Sequence, residues 1–92
     1  MKDDKLLAAL EEVAGQLGVK VRYERIKKNT VRQPKGGLCR VHDEPFIIVH
    51  KLLSDEEKVQ VVADALREFD LEGHYITPEV RAAIEGAATL IK

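Results

Sequence analysis

Apolar residues recur along the first part of the chain at helical spacing. Leu6, Leu10, Val13 and Leu17 fall on one side, and Leu7 and Ala14 widen that stripe. Asp3 and Asp4 open the segment, where acids meet the positive end of a helix dipole. Gly18 follows the last apolar position and suits a left-handed cap. The period then changes. Val19, Val21 and Tyr23 alternate with Lys20, Arg22 and Glu24, the pattern of a half-buried strand. From Ile26 to Gly37 the periodicity dissolves into a predicted loop containing Asn29, Pro34 and the Gly36-Gly37 pair. Leu38 to His42 and Phe46 to His50 are two short β-type runs around Asp43-Glu44-Pro45, a predicted hairpin. With Asp43 and Glu44 as the turn, Cys39 and Val41 share a face with Phe46 and Ile48, and the alternation points Cys39 into the core.

Helical spacing returns after Ser54-Asp55-Glu56-Glu57, a capping box in which the serine and the glutamate three residues on satisfy free amides. Val59, Val62, Ala63, Leu66 and Phe69 give that helix its apolar stripe. Thr77-Pro78-Glu79 starts a third helix, with threonine as cap and proline at the first position, where no amide hydrogen is needed. Val80, Ala83, Ile84, Ala87 and Ile91 form its buried side. The order αβββαα predicts a single α+β domain over residues 1–92, with a small antiparallel sheet packed against helices.

Composition sets the class. The 92 residues are 45% apolar and 34% charged, the balance of a soluble globular chain rather than a disordered or membrane one. A domain of this size buries roughly 65% of its unfolded-chain surface, enough to fold without a metal or disulfide staple. The one cysteine, Cys39, fits a reducing compartment. Glu11 and Glu12 interrupt the apolar run that a signal peptide needs, so the expectation is a cytoplasmic protein with no membrane partner.

Charge is strongly segregated. Lys20 to Arg40 holds eight basic residues and one acid, Glu24, a formal +7 inside a chain whose net charge is −1. The rest therefore carries −8. Arg25, Lys27, Lys28, Arg32, Lys35 and Arg40 form a candidate polyanion-binding set, and glycines at the end of the basic loop would let backbone amides approach phosphates. With two Phe, two Tyr and no Trp, stacking platforms are scarce. The alternative partner for the basic loop is the acidic helices, across a dimer.

No complete catalytic constellation is present. Cys39 beside Arg40, with His42 or His50 as base, is a candidate nucleophile, but the strand pattern assigns it to packing. His42, His50 and His74 lack the i, i+4 spacing of paired helical ligands. Asp64 and Glu68 lie four apart on the second helix, turned away from its apolar stripe, and with His50 they are the candidate metal ligands. Val61 stands between these two carboxylates, which makes Val61, Asp64 and Glu68 candidate interface residues.

Gly36-Gly37-Leu38-Cys39-Arg40-Val41, then Leu53-Ser54-x-x-Glu57-Lys58, Ala65-Leu66-Arg67-x-Phe69-Asp70-Leu71-Glu72 and Pro78-Glu79-Val80-Arg81, resembles a family of short uncharacterised bacterial proteins. The resemblance covers nearly the whole chain and implies no activity. More distantly, residues 3–70 are similar to the front of ImmA/IrrE-type zinc metallopeptidases: a helix, a Leu-Gly-Val-x-Val strand start, Gly-Gly before short strands, then Ile-Ile-Val-x-x-x-Leu-Ser and a helix. That family's His-Glu-x-x-His falls where this chain reads Asp64-Ala65-Leu66-Arg67-Glu68. The resemblance implies a derivative in which aspartate and glutamate replace the histidine ligands and alanine replaces the general base, so the peptidase chemistry is lost. The sequence-based expectation is a non-enzymatic interaction module that self-associates or binds a protein partner and needs no cofactor. Nucleic-acid binding through residues 20–40 and a metal-dependent hydrolase are the alternatives.

Overall fold

The computed structural model describes residues 2–25 and 36–90, with side-chain surroundings through residue 86. The elements follow the expected order: α1 (Asp3–Gln16), β1 (Lys20–Glu24), β2 (Gly36–Val41), β3 (Glu44–His50), α2 (Asp55–Leu66) and α3 (Pro78–Leu90). Gly18 has φ +76°, the left-handed residue that ends α1. Leu7, Leu10, Val13 and Ala14 are its buried face, with Leu6 and Leu17 at the margin.

The sheet is mixed. β3 lies in the middle, β2 pairs with it antiparallel and β1 pairs with it parallel, so the order is β1-β3-β2. The antiparallel expectation holds for the hairpin, while β1 takes the other edge of β3 in parallel. Strand direction there is a non-local choice that alternation within β1 does not encode.

The hairpin turn sits one residue earlier than the sequence implies. His42 and Asp43 occupy it with φ of +52° and +67°, the signs of a type I′ turn, and Glu44 and Pro45 already belong to β3. Pro45 fits there for a stated reason. Val41 opposes Glu44 as the pair closing a two-residue turn, so at the next pair, Arg40 opposite Pro45, the β3 amide position faces away from β2. On the other side β1 begins pairing only at Phe46, so no ladder bond is lost to the proline.

Gly36 and Gly37 are strand residues rather than the end of a phosphate-cradling loop. Gly36 has φ +117°, and a Cβ built on it would lie 2.0 Å from the Ile48 carbonyl oxygen. The glycine is required by the close approach of β2 to β3.

All three helices join the core from one side of the sheet. Val21, Tyr23, Leu38, Ile47 and Val49 meet Leu7, Leu10, Val13, Val59, Val62, Ala63, Leu66, Val80 and Ile84 in one apolar cluster, and among the described residues no charged side chain is buried. Tyr23 ties the layers together: its hydroxyl donates to the Glu11 carboxylate of α1 at 2.5 Å, and Lys58 Nζ of α2 lies 5.5 Å from its ring centre. Burial, first, and then the hydrogen bond and negative charge of Glu11 raise the pKa of this phenol well above its ordinary value.

α2 begins with the serine half of the expected box, Ser54 Oγ accepting from the Glu57 amide at 3.3 Å, and the same hydroxyl donates to Glu57 Oε1 at 3.2 Å. The helix ends at Leu66, so Phe69 is not part of its stripe. Glu68 and Phe69 amides bond back three residues to Ala65 and Leu66, a tightened turn that still brings Phe69 onto the core. At the start of α3 the Arg81 amide bonds the Thr77 carbonyl, as a cap position requires, but the Thr77 hydroxyl is buried with no hydrogen-bond partner among the described residues. Val80 and Ile84 are buried as expected. Ala87 and Ile91 lie outside the described side chains.

Candidate functional site

Side chains alternate across the sheet, so with Val21, Tyr23, Leu38, Ile47 and Val49 turned to the helices, the other face carries their neighbours. These are Lys20, Arg22 and Glu24 from β1, Glu44, Phe46, Ile48 and His50 from β3, and Gly37, Cys39 and Val41 from β2. Cys39, Val41, Phe46 and Ile48 do share a face, as the sequence implies. That face, however, is not the core. None of the four belongs to the apolar cluster, Cys39 is only partly buried, and Val41 is 44% exposed. Because Ile47 and Ile48 are equally apolar, period alone could not say which face the helices cover.

Phe46 is the centre of this face. Register puts Lys20 directly beside it on β1 and Cys39 directly beside it on β2. Lys20 Nζ lies 5.8 Å from the ring centre and the Arg22 guanidinium carbon 5.9 Å from it, both within cation–π range. The Arg22 head also holds Glu24 Oε2 at 2.9 Å, and both side chains of this pair are substantially exposed. The face as described thus carries two bases and two acids. Among the described residues this face therefore has no cationic excess, and Arg40 alternates with Cys39 and Val41 and so lies on the parity of Leu38. Arg25 is exposed directly after β1, and Arg40 is exposed on β2. Lys27, Lys28, Arg32 and Lys35 belong to the connection between β1 and β2 and lie outside the described residues.

The other candidates are dispersed. Asp64 and Glu68 are exposed on and just after α2, and Asp64 pairs with Arg67 at 3.6 Å. His50 closes β3, its Nδ1 buried with no hydrogen-bond partner among the described residues. Among the described residues no three of the His, Cys, Asp or Glu side chains come together as a metal site, so Asp64, Glu68 and His50 are not joined into one. Val61 does not stand free between the two carboxylates: it is partly buried and packs on the core, because α2 lies between α1 and α3 and uses a wide arc of its surface. No helix among the described residues is long and apolar enough to cross a membrane.

The grouping of Lys20, Arg22 and Phe46 is what reading the sequence misses. The basic count includes both cations, but their meeting with Phe46 depends on parallel pairing between strands more than 20 residues apart, by the register Lys20–Phe46. The alternating charges of β1 and a phenylalanine shortly after a turn are the local signals. The chain matches no family model, no curated protein and no solved structure in comparisons with known proteins.

Proposed function

We propose that this protein is a non-enzymatic binding module for nucleic acid, engaging it as a polyanion through the helix-free face of the sheet and the basic segment that joins its two edge strands. The observation that carries this reading is the coincidence of two features: the +7 stretch between Lys20 and Arg40 contains β1 and nearly all of β2, and the sheet face they frame has Phe46 beside Lys20 and Arg22 of β1. Polyphosphate backbones reward such clustering because each neutralised phosphate releases counterions. Acidic α1 and α2 lie on the opposite side of the sheet, so Lys20 and Arg22 face away from the helix carboxylates.

Self-association through the same face is the second reading, and one observation favours it. Lys20 and Arg22 stand with Glu24 and Glu44 on that face, a set that a two-fold related copy can pair with itself. One variant separates the two. Glu24→Gln frees Arg22, so it strengthens nucleic-acid binding, whereas it removes a partner from a charge-paired dimer and weakens it. The direct test replaces Lys27, Lys28, Arg32 and Lys35 together by glutamine. Nucleic-acid binding at low salt should be lost with the melting temperature nearly unchanged; retained binding refutes the assignment of the basic segment.

A further inference from the structure

We infer that Phe46 is a stacking platform for an unpaired base, so that the ligand is single-stranded nucleic acid, with Lys20 and Arg22 taking the phosphates beside the stacked base. This rests on the nucleic-acid reading above and narrows it to one strand and one site. The ring is partly buried, held from below by its own strand and flanked by Cys39 and Ile48 on the same face. Among the described residues the cations within reach of the ring are Lys20 and Arg22, and both are exposed, Arg22 by 57% of its side chain. A base can slide onto the ring as those chains swing aside, and their charged heads then meet the flanking phosphates. The cation–π contacts seen in the free protein are exchanged for base stacking and charge-assisted hydrogen bonds.

Strand geometry supports this division of labour. Lys20 is the direct neighbour of Phe46, and Arg22 stands two residues further along β1, about 6.6 Å away. The two cations therefore track one edge of the sheet while the ring sits on the central strand. A sheet face with an aromatic ring beside cations accepts splayed bases, whereas a duplex, whose base faces are already stacked, can engage the cations alone. Glu24 competes with phosphate for Arg22.

The test is an anisotropy titration with a labelled oligothymidine of about 12 nucleotides, within the site size of one small fold, and a duplex of equal length, with heparin as a third polyanion. The wild type should bind the single strand about tenfold more tightly than the duplex. Phe46→Leu keeps an apolar group and removes the ring; it should weaken single-strand binding about 10- to 100-fold and leave duplex and heparin binding unchanged. Phe46→Tyr keeps the ring and should restore binding, and thermal melts of both variants show whether the fold is intact. Lys20→Gln should lower the slope of log affinity against log salt by about 1. Equal binding of all three probes, with no effect of Phe46→Leu, overturns the stacking site while leaving polyanion binding standing. Failure to bind any of them at low salt overturns both.

Discussion

Replacing Gly36 by alanine should be among the most damaging single-methyl additions to this fold. The new Cβ would lie 2.0 Å from the Ile48 oxygen, 2.9 Å from its carbonyl carbon and 3.0 Å from Val49 Cα. All three are main-chain atoms of the central strand, so no side chain can rotate to make room. β2 must instead move away from β3 by more than 1 Å locally, on the order of the shortfall from an ordinary carbon–oxygen contact. The φ of +117° adds strain that alanine carries and glycine does not. Backbone strain of about 1–2 kcal/mol and the loss of one or two ladder hydrogen bonds at about 1 kcal/mol each bring the cost to about 3 kcal/mol. For a domain near 100 residues that lowers the melting temperature by about 12–24 °C. Gly15→Ala is the matched control. Its position is exposed on α1 with nothing within 4 Å of the added carbon, so it should gain about 0.5–1 kcal/mol from helix propensity. Thermal and urea unfolding of the two variants beside the wild type measure both effects. A Gly36→Ala protein that melts within about 2 °C of wild type would refute the close packing of β2 on β3 and the register drawn from it.

Tyr23→Phe removes the bond to Glu11 and should cost about 1–2 kcal/mol, the range for a partly buried hydrogen bond to a charged group. The pKa of Tyr23 is raised in the folded state, so its contribution is fully present below the unfolded value near pH ~10 and is lost as pH rises above that. Urea unfolding across the alkaline range should show a steeper loss of stability in wild type than in Tyr23→Phe; parallel profiles would contradict the linkage. Asp43→Gly relieves a left-handed φ at the second turn position and should raise the urea midpoint by about 0.5–1 kcal/mol equivalent, whereas a lower midpoint would argue against a type I′ turn. Ser54→Ala removes the cap of α2 and should lose about 1 kcal/mol by the same assay, an unchanged midpoint meaning that water replaces the cap without loss.

Local signals carried most of the fold. Gly18, the Ser54–Glu57 box and Pro78 each mark a helix end by backbone chemistry that acts within four residues, and each stands where that chemistry requires. What the sequence did not disclose was decided at longer range. The parallel pairing of β1 joins residues as far apart as Lys20 and Phe46, and the buried side of β3 depends on which face the helices cover. Ile47 and Ile48 are interchangeable to a pattern reading, yet one is fully buried and the other looks away from the helices. The error over Cys39 follows from that single ambiguity. Val61 illustrates the same point for a helix: its polar neighbours imply solvent, but α2 is flanked on two sides and the valine is partly covered.

The candidate site was legible as charge and illegible as geometry. Counting locates the cations between Lys20 and Arg40, but only the register brings Lys20 and Arg22 beside Phe46. The carboxylates Asp64 and Glu68 were equally visible, and the fold leaves them on the surface with an arginine nearby and no third ligand among the described residues.

The most direct test of the binding face is an amide chemical-shift titration of the labelled protein with a short single-stranded oligonucleotide at low salt. The expected result is a set of perturbations confined to residues 20–25, 36–41 and 44–50 together with the basic connection, with α2 and α3 unmoved. Perturbations centred on the exposed side of α2, around Asp64 and Glu68, or a spectrum unchanged at saturating ligand, would contradict the assignment of binding to the helix-free face of the sheet.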